Sequence, residues 1–216
     1  MALSKDQVMN LYRKRADNYD ISANLYYLIG FRESKYRKLA VRELMLKSGD
    51  TVVEIGCGTG LNFRYIIDAV GPEGKLIGVD LTDKMLAGAK ARVSKNGWAN
   101  VELVQKDAST YRFPDSVSGI ISTFAITLIP EYKEIIRRGA DALAPQGRMV
   151  IADLCLPDRW PMWMARLMVW VTKPFGTSLD IARRQPWKAI ETYLAQTTFR
   201  KIYGGFAYIS SGMKSP

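Results

Sequence analysis

A parallel, doubly wound α/β sheet is what this chain predicts, on two observations. Between residues 51 and 154 short apolar runs alternate with helical stretches, the βαβ rhythm of a sheet with helices on both faces. The first run, Val52-Val53-Glu54-Ile55, then passes directly into Gly56-Cys57-Gly58-Thr59-Gly60, so an apolar strand ending in an acid meets glycines at alternate positions. Open sheets of this kind bind ligands outside the carboxyl ends of their strands. Glycine lets the backbone turn tightly and lie against a ligand. A following helix directs unpaired N–H groups and a positive dipole end at an anionic or carboxylate-bearing ligand.

The elements follow in order. Residues 4–20 read as a helix, with Ser4 a candidate N-cap and Gln7 three residues on. An aromatic run, 22–29, ends at Gly30, and 31–47 reads as a second amphipathic helix closed by Ser48-Gly49-Asp50. The first strand is expected at 51–55 and a helix at 60–69. Pro72-Glu73-Gly74 turns the chain into a second strand at 75–80, and a helix at 82–96 stops at Asn96-Gly97. A third strand is expected at 101–105, a fourth at 118–124 and a helix at 131–143. Pro145-Gln146-Gly147 then leads into a fifth strand at 148–154. Residues 156–192 break the rhythm, residues 186–195 read as a helix, and two late strands fall near 199–204 and 206–211. One domain is expected over 1–216: a helical cap (1–48), a ligand-binding core (49–154), an apolar lid and helix (155–198) and a terminal hairpin (199–212).

Composition removes several classes of chemistry. The 216 residues contain no histidine and two cysteines, too few ligands for a four-coordinate zinc site and no disulfide framework. A reducing compartment is the better expectation. The segment from Met1 to Tyr12 has no apolar signal-peptide core, which points to the cytoplasm. The net charge of +10 is uneven. Residues 1–50 hold ten Lys/Arg against six Asp/Glu, and 151–216 hold nine against four, whereas 51–150 is nearly balanced at twelve against eleven. The excess cation therefore lies outside the glycine-loop core. It serves either solubility or attraction to an anionic membrane or substrate group. Nucleic acid ranks low, because no basic tail or nucleic-acid motif accompanies the charge.

The spacing of the loop separates two kinds of nucleotide site. A dinucleotide fingerprint requires a glycine where Leu61 stands, and a phosphate-binding loop requires the Gly-Lys-Ser/Thr that is missing. Glu54 would oppose a pyrophosphate, and it suits a ligand with a cationic end, an ammonium or a sulfonium. The pattern Glu-x-Gly-x-Gly-x-Gly after a strand resembles the first motif of class I S-adenosylmethionine-dependent methyltransferases. Val79-Asp80-Leu81-Thr82-Asp83-Lys84-Met85-Leu86 is similar to the family's second motif, and 139–148 resembles its helix-turn-strand segment before the fifth strand.

The resemblance implies a Rossmann-like, seven-stranded sheet, mostly parallel with an antiparallel terminal hairpin, and S-adenosyl-L-methionine as cofactor, with S-adenosyl-L-homocysteine as its product. Glu54, Gly56, Cys57, Gly58 and Gly60 would form the loop side of that site. Asp80, at the end of the second strand, can accept both ribose hydroxyls or cap the next helix, a task open also to Thr82 and Asp83. Leu81 and Met85 would pack on the adenine faces or simply fill core. Asp107 can accept from the adenine amino group, with Ala108 leaving room for the ring, or can sit in a surface turn. Ser122, Thr123 and Phe124, where the fourth strand ends, would floor the methyl-transfer site. Thr123 and Phe124 are accordingly the catalytic candidates on this strand.

The acceptor side falls on two segments. Residues 12–20 and Tyr26-Tyr27-Leu28 resemble the N-terminal cap of bacterial phosphatidylethanolamine N-methyltransferases and of the ubiquinone/menaquinone C-methyltransferases. There Tyr19 matches a tyrosine that closes over the cofactor; the alternative is a half-buried helix tyrosine. Residues 159–175 carry three tryptophans and three methionines between cationic flanks and are too short to span a bilayer. They suit a membrane interface, a lid over an acyl or prenyl chain, or a core helix. Without histidine, a neutral amine is the acceptor this composition serves most easily. N-methylation of a membrane-lipid head group is therefore the leading expectation. A prenylated quinone methylated on carbon and a small-molecule N- or O-acceptor are the alternatives. Expected partners are an apolar acceptor and an anionic membrane inner face, with the chain a monomer or weak homo-oligomer.

Overall fold

The computed structural model describes residues 5–16, 30–157, 161, 163, 166–167, 170 and 178–215. Ser4, Tyr19, the Tyr26-Tyr27-Leu28 run and most of 159–175 lie outside these residues. In chain order the elements are α1 (Lys5–Arg15), α2 (Glu33–Glu43), β1 (Thr51–Ile55), α3 (Phe63–Val70), β2 (Lys75–Asp80), α4 (Asp83–Asn96), β3 (Val101–Gln105), β4 (Val117–Thr123), α5 (Tyr132–Ala142), β5 (Leu143–Leu154), α6 (Leu179–Ala182), α7 (Pro186–Tyr193), β6 (Ala195–Ile202) and β7 (Ala207–Met213).

The seven strands form one sheet in the order β3-β2-β1-β4-β5-β7-β6. Strands β1 to β5 pair in parallel, and β7 runs antiparallel to both β5 and β6. The order reverses between β1 and β4, which creates the crevice where such sheets bind ligands. Burial follows the strand period of two. Val53, Ile55 and Ile120 enter one hydrophobic cluster, and Val52, Ile121 and Val150 enter the other, on the opposite face. Helix α2 turns Ala40 and Val41 toward this second face, with Glu33 and Arg37 on the same buried stripe.

Several boundaries differ from the sequence reading for local reasons. Helix α3 starts at Phe63 rather than at 60, because Gly58 and Gly60 take positive φ values of 56° and 78° that no right-handed helix accepts. Helix α2 stops at Glu43 instead of running to 47; Met45, at φ 53°, has left the helical region. β5 begins at Leu143, five residues early, because Leu143 already pairs with Val117 and the expected turn is absorbed as a register shift before Gly119. Gln146, at φ 62°, carries that irregularity. β6 likewise starts at Ala195, opposite Met213, with a shift before Thr198. β4 ends at Thr123, so Phe124 stands just beyond the strand.

Phe63 ties the loop to the sheet. Its ring is fully buried, and a Cβ at Gly60 or at Gly78 would lie only 2.6 Å or 2.9 Å from it. The two glycines are therefore the space the ring occupies. Phe63→Ala would leave a cavity between loop and β2, and a loss of about 3–5 kcal/mol is expected. Urea unfolding followed by circular dichroism checks it, as a lower midpoint at unchanged slope.

Candidate functional site

One cleft opens at the carboxyl ends of four neighbouring strands. It is walled by Gly56, Cys57, Gly58 and Thr59 after β1, by Val79 to Thr82 at β2, by Lys106, Asp107 and Ala108 after β3, and by Thr123, Phe124 and Ala125 after β4. Val8 and Tyr12 of α1 close one side, and Leu128, Ile129 and Pro130 add an apolar rim. Helix α1 is held to α4 by the exposed pair Arg13 and Asp83, with Arg13 Nε donating at 2.7 Å.

The loop is shaped by backbone bonds. The N–H groups of Gly56 and Cys57 both donate to the Val79 carbonyl, at 2.8 and 3.1 Å, which folds the chain across the end of β2. Gly56, at φ 67°, has no room for a side chain, since a Cβ would come within 2.4 Å of Ala125 Cβ. Gly58 is different: a Cβ there would meet nothing within 4 Å, so its backbone faces open space. The Gly58 N–H donates to Asp80 Oδ2 at 2.8 Å, and the Thr82 N–H donates to Asp80 Oδ1 at 2.8 Å. Asp80 thus ties loop to strand and also caps the start of α4. Burial pushes its carboxyl above the ordinary range, against the pull of these amides.

The remaining sequence-predicted residues divide. Leu81, Met85 and Ala108 line the cleft. Asp107 lines it too, while Oδ1 accepts the Ser109 N–H at 2.8 Å and closes a turn. Both functions considered for Asp107 are therefore compatible. Gly60 is packed against Phe63 and does not line the cleft. Ser122 points to the opposite face of the sheet from Thr123, as adjacent strand residues must, and donates to the Ile55 carbonyl at 2.9 Å. Glu54 is fully buried behind the loop, outside the cleft wall. Tyr19 lies outside the described residues.

Behind the cleft a polar cluster joins four elements. Asn62, also fully buried, donates through Nδ2 to Glu54 Oε1 at 2.6 Å and to Thr123 Oγ1 at 2.8 Å. Arg37 donates through Nη1 to Thr123 Oγ1 and, at 3.4 Å, to Asn62 Oδ1, while its Nε donates to Glu33 at 2.7 Å. Its guanidinium stands 5.2 Å from the centre of the Phe124 ring. That ring is braced by Phe31 at 5.5 Å, and Phe124 itself adopts φ 56°, a left-handed conformation rare for an aromatic residue. Sequence reading passed over Arg37 and Asn62. The available signal was Glu33 and Arg37 at i,i+4 on the same stripe as Ala40 and Val41, an ion pair on a face that has to be buried.

The comparisons with known proteins agree with this geometry. Residues 52–147 match the family described as "Methyltransferase domain". A demethylmenaquinone methyltransferase of Listeria monocytogenes is 26% identical over 156 residues, which cover 71% of this chain and 65% of that protein. The chain thus spans just under two thirds of that relative's length. Phosphoethanolamine N-methyltransferase 2 of Haemonchus contortus, solved with S-adenosyl-L-methionine, superimposes with a TM-score of 0.69 at 18% identity, covering 95% of this chain and 60% of the other. A SAM-dependent methyltransferase of Aquifex aeolicus gives 0.55 at 21%, covering 85% and 99%. The matched segment is a methyltransferase domain covering just under half of the chain, and the superpositions, at 21% and 18% identity, show a shared fold.

Burial of Glu54 has a consequence for stability. Desolvation raises its pKa from 4.5 to about 8, only partly opposed by Arg37 and Asn62. Between those two values the folded chain keeps a proton that the unfolded chain has released. The contribution of Glu54 to stability therefore falls as pH rises through that window, by up to ~1.4 kcal/mol per pH unit. Glu54→Gln keeps an acceptor for Asn62 and removes the ionisation. Relative to wild type, this variant is expected to gain stability steadily from pH 5 to pH 8. Urea midpoints of both proteins across that range test the point, and parallel pH profiles would refute it.

Proposed function

We propose that the chain is an S-adenosylmethionine-dependent methyltransferase acting on an apolar, membrane-borne acceptor. The observation that carries the first half is the pairing of the Gly58 amide with Asp80 at the switch point of the sheet, beside a stretch of loop backbone that faces open space. This arrangement fits a nucleoside with hydroxyls at Asp80, a ring between Leu81, Met85 and Ala108, and an amino group at Asp107. Gly56, Cys57 and Gly58 would carry the amino-acid end. When bound, the cofactor supplies a methyl group on a sulfonium, so the carbon–sulfur bond breaks with its electrons going to sulfur as the acceptor's electron pair makes the new bond. The chain's own residues then align the two partners and exclude water.

The charge of the acceptor end supports a finer reading. Asp80, Lys106 and Asp107 stand at the ends of β2 and β3, and Arg37 is the charged lining residue beside Thr123 and Phe124. Among the described residues no carboxylate lines that end to receive an ammonium. A guanidinium there favours an acceptor that develops negative charge, such as an aromatic hydroxyl, over the lipid amine that composition alone suggests. The name of the Listeria relative, a demethylmenaquinone methyltransferase, supports an aromatic, prenylated acceptor. Methylation of a ring carbon of a quinol is thus preferred to N-methylation of a phospholipid.

A membrane location for that acceptor draws support from the surface. Trp163, Leu167 and Trp170 are 65%, 51% and 70% exposed. Exposed tryptophans with a net charge of +10 suit an anionic interface. Among the described residues no helix is long and apolar enough to cross a membrane.

Two measurements follow. Gly58→Val, which puts a β-branched side chain at φ 56° on the open face of the loop, and Asp80→Ala, which removes a charged acceptor, are each expected to weaken S-adenosylhomocysteine binding at least about tenfold. Calorimetric titration reads this, and an unchanged affinity in both would remove the cofactor assignment. Trp163→Ser combined with Trp170→Ser is expected to lower flotation with phosphatidylglycerol-containing vesicles at least about tenfold, since two large side chains leave the interface. S-adenosylhomocysteine affinity of this variant stays at the wild-type value. A wild-type chain that fails to float would sink the membrane reading.

A further inference from the structure

Thr123 has a hydrogen-bonding geometry with only one outcome. A threonine hydroxyl has two acceptor lone pairs and a single proton. At Thr123 Oγ1 both recorded bonds arrive from donors, one from Arg37 Nη1 and one from Asn62 Nδ2 at 2.8 Å. Neither partner can be read the other way. A guanidinium has no acceptor. The Asn62 amide is oriented by that guanidinium, which can only donate and faces Oδ1 at 3.4 Å. The lone pairs are thus occupied by a cation and an amide, and the hydroxyl is left with its proton to give.

We infer that Thr123 is a fixed hydrogen-bond donor at the acceptor end of the cleft, with Arg37 and Asn62 as the positioning residues that orient it. Thr123 lines the cleft beside Phe124, so a ligand oxygen resting on the Phe124 platform is the group within its reach. The adjoining guanidinium polarises the O–H bond and strengthens the donation in this buried setting. Such a donor recognises an oxygen anion, or an oxygen on which negative charge grows, in the manner of an oxyanion site. It cannot take a proton from a substrate hydroxyl, because no lone pair remains, and it offers nothing to an ammonium. The chemical class it selects is therefore an ionised or easily ionised aromatic hydroxyl. This rests on the methyltransferase reading above and narrows its substrate.

The inference is tested with 4-nitrophenol, whose phenolate absorbs visible light, titrated into the full-length chain in the presence of S-adenosylhomocysteine. In the wild type the bound phenol is expected to ionise about one pH unit below the free phenol, a tenfold preference for the anion. Thr123→Ser keeps the donor and should keep the shift. Thr123→Val keeps Arg37 and its charge but removes the proton, and should lose the shift. Because that variant strands two buried donors, its circular dichroism and S-adenosylhomocysteine affinity are measured alongside. If it fails to fold, Thr123→Ala, which leaves room for water at the two donors, takes its place. A wild type that binds S-adenosylhomocysteine yet shows no phenolate shift overturns the donor role and leaves the cofactor assignment standing. A valine variant that retains the shift assigns the effect to Arg37 and likewise overturns it. So does methylation of phosphatidylethanolamine vesicles at equal rates by wild type and the valine variant. Loss of S-adenosylhomocysteine binding in the wild type would remove the methyltransferase reading itself.

Discussion

The hydrogen bonds of Asn62 are the constraint on which the rest of the site depends. One side chain, fully buried, joins the acid at the end of β1, the hydroxyl at the end of β4 and the guanidinium of α2. Burying a carboxylate and a guanidinium costs several kcal/mol each unless they are paired and hydrogen-bonded. Here Arg37 is balanced by Glu33, and Glu54 is relieved by keeping its proton up to about pH 8. The cluster is thereby close to neutral at the acidity of most cells. Its geometry, with several partners per group, sets the position of α2 against the sheet more narrowly than apolar packing of Ala40 and Val41 alone would. One oxygen, Glu54 Oε2, has no partner among the described residues. It is the weak point of an otherwise satisfied network.

The cleft joins two sites built by different means. At the end walled by Gly58 and Asp80, backbone does most of the work: loop amides fold onto the Val79 carbonyl, and Gly58 hands its N–H to Asp80. Positions there are dictated by the absence of Cβ atoms and by strand ends, so they follow from sheet topology. At the end walled by Thr123 and Phe124 the determinants are side chains. Phe124 is fixed between a guanidinium and Phe31, and Phe31 in turn packs against Tyr36 and Tyr203, at 5.2 and 5.0 Å. These rings come from the approach to α2, the end of β4 and the β6–β7 turn. The strained φ of Phe124 persists because neighbours on several sides hold it.

That division explains how far the sequence could be read. The parallel core was legible because strand period and glycine punctuation are local signals: β1, β2 and β3 fall where the residues put them. The antiparallel ending was legible only through resemblance. Boundaries moved where a positive φ or a register shift intervened, at Gly60, Met45 and Gln146, and no local pattern announces these. In the site, Asp80 and Asp107 could be named from their places at strand ends. Ser122 and Thr123 were grouped together, although the strand period sends them to opposite faces. Arg37 and Asn62 stayed hidden because their function exists only when α2 and the start of α3 meet the same strand end. Glu54 was visible as an acid, but its environment was not. Its protonation depends on burial, and burial depends on the helices that cover it.

A cation beside the acceptor end of the proposed sulfonium cleft looks unfavourable, since like charges repel. The cluster removes the difficulty. Glu33 offsets Arg37 directly, so distant charges see a pair and not a lone cation, while the group in contact with Thr123 still feels the near guanidinium. Dipolar fields fall off faster with distance than those of a single charge, so the effect is confined to the acceptor pocket. In the proposed reaction an ionised aromatic ring attacking a sulfonium through carbon would lose charge as the new bond forms, and an apolar rim of Leu128, Ile129 and Pro130 favours reactions in which charge disappears. The neutral state of Glu54 belongs to the same logic. An ionised Glu54, joined through Asn62 to the Thr123 hydroxyl, would oppose an anion at that hydroxyl, whereas its protonated form leaves the guanidinium as the charge that the proposed acceptor would meet. Burial of one acid behind the glycine loop thereby bears on the chemistry at the far end of the cleft.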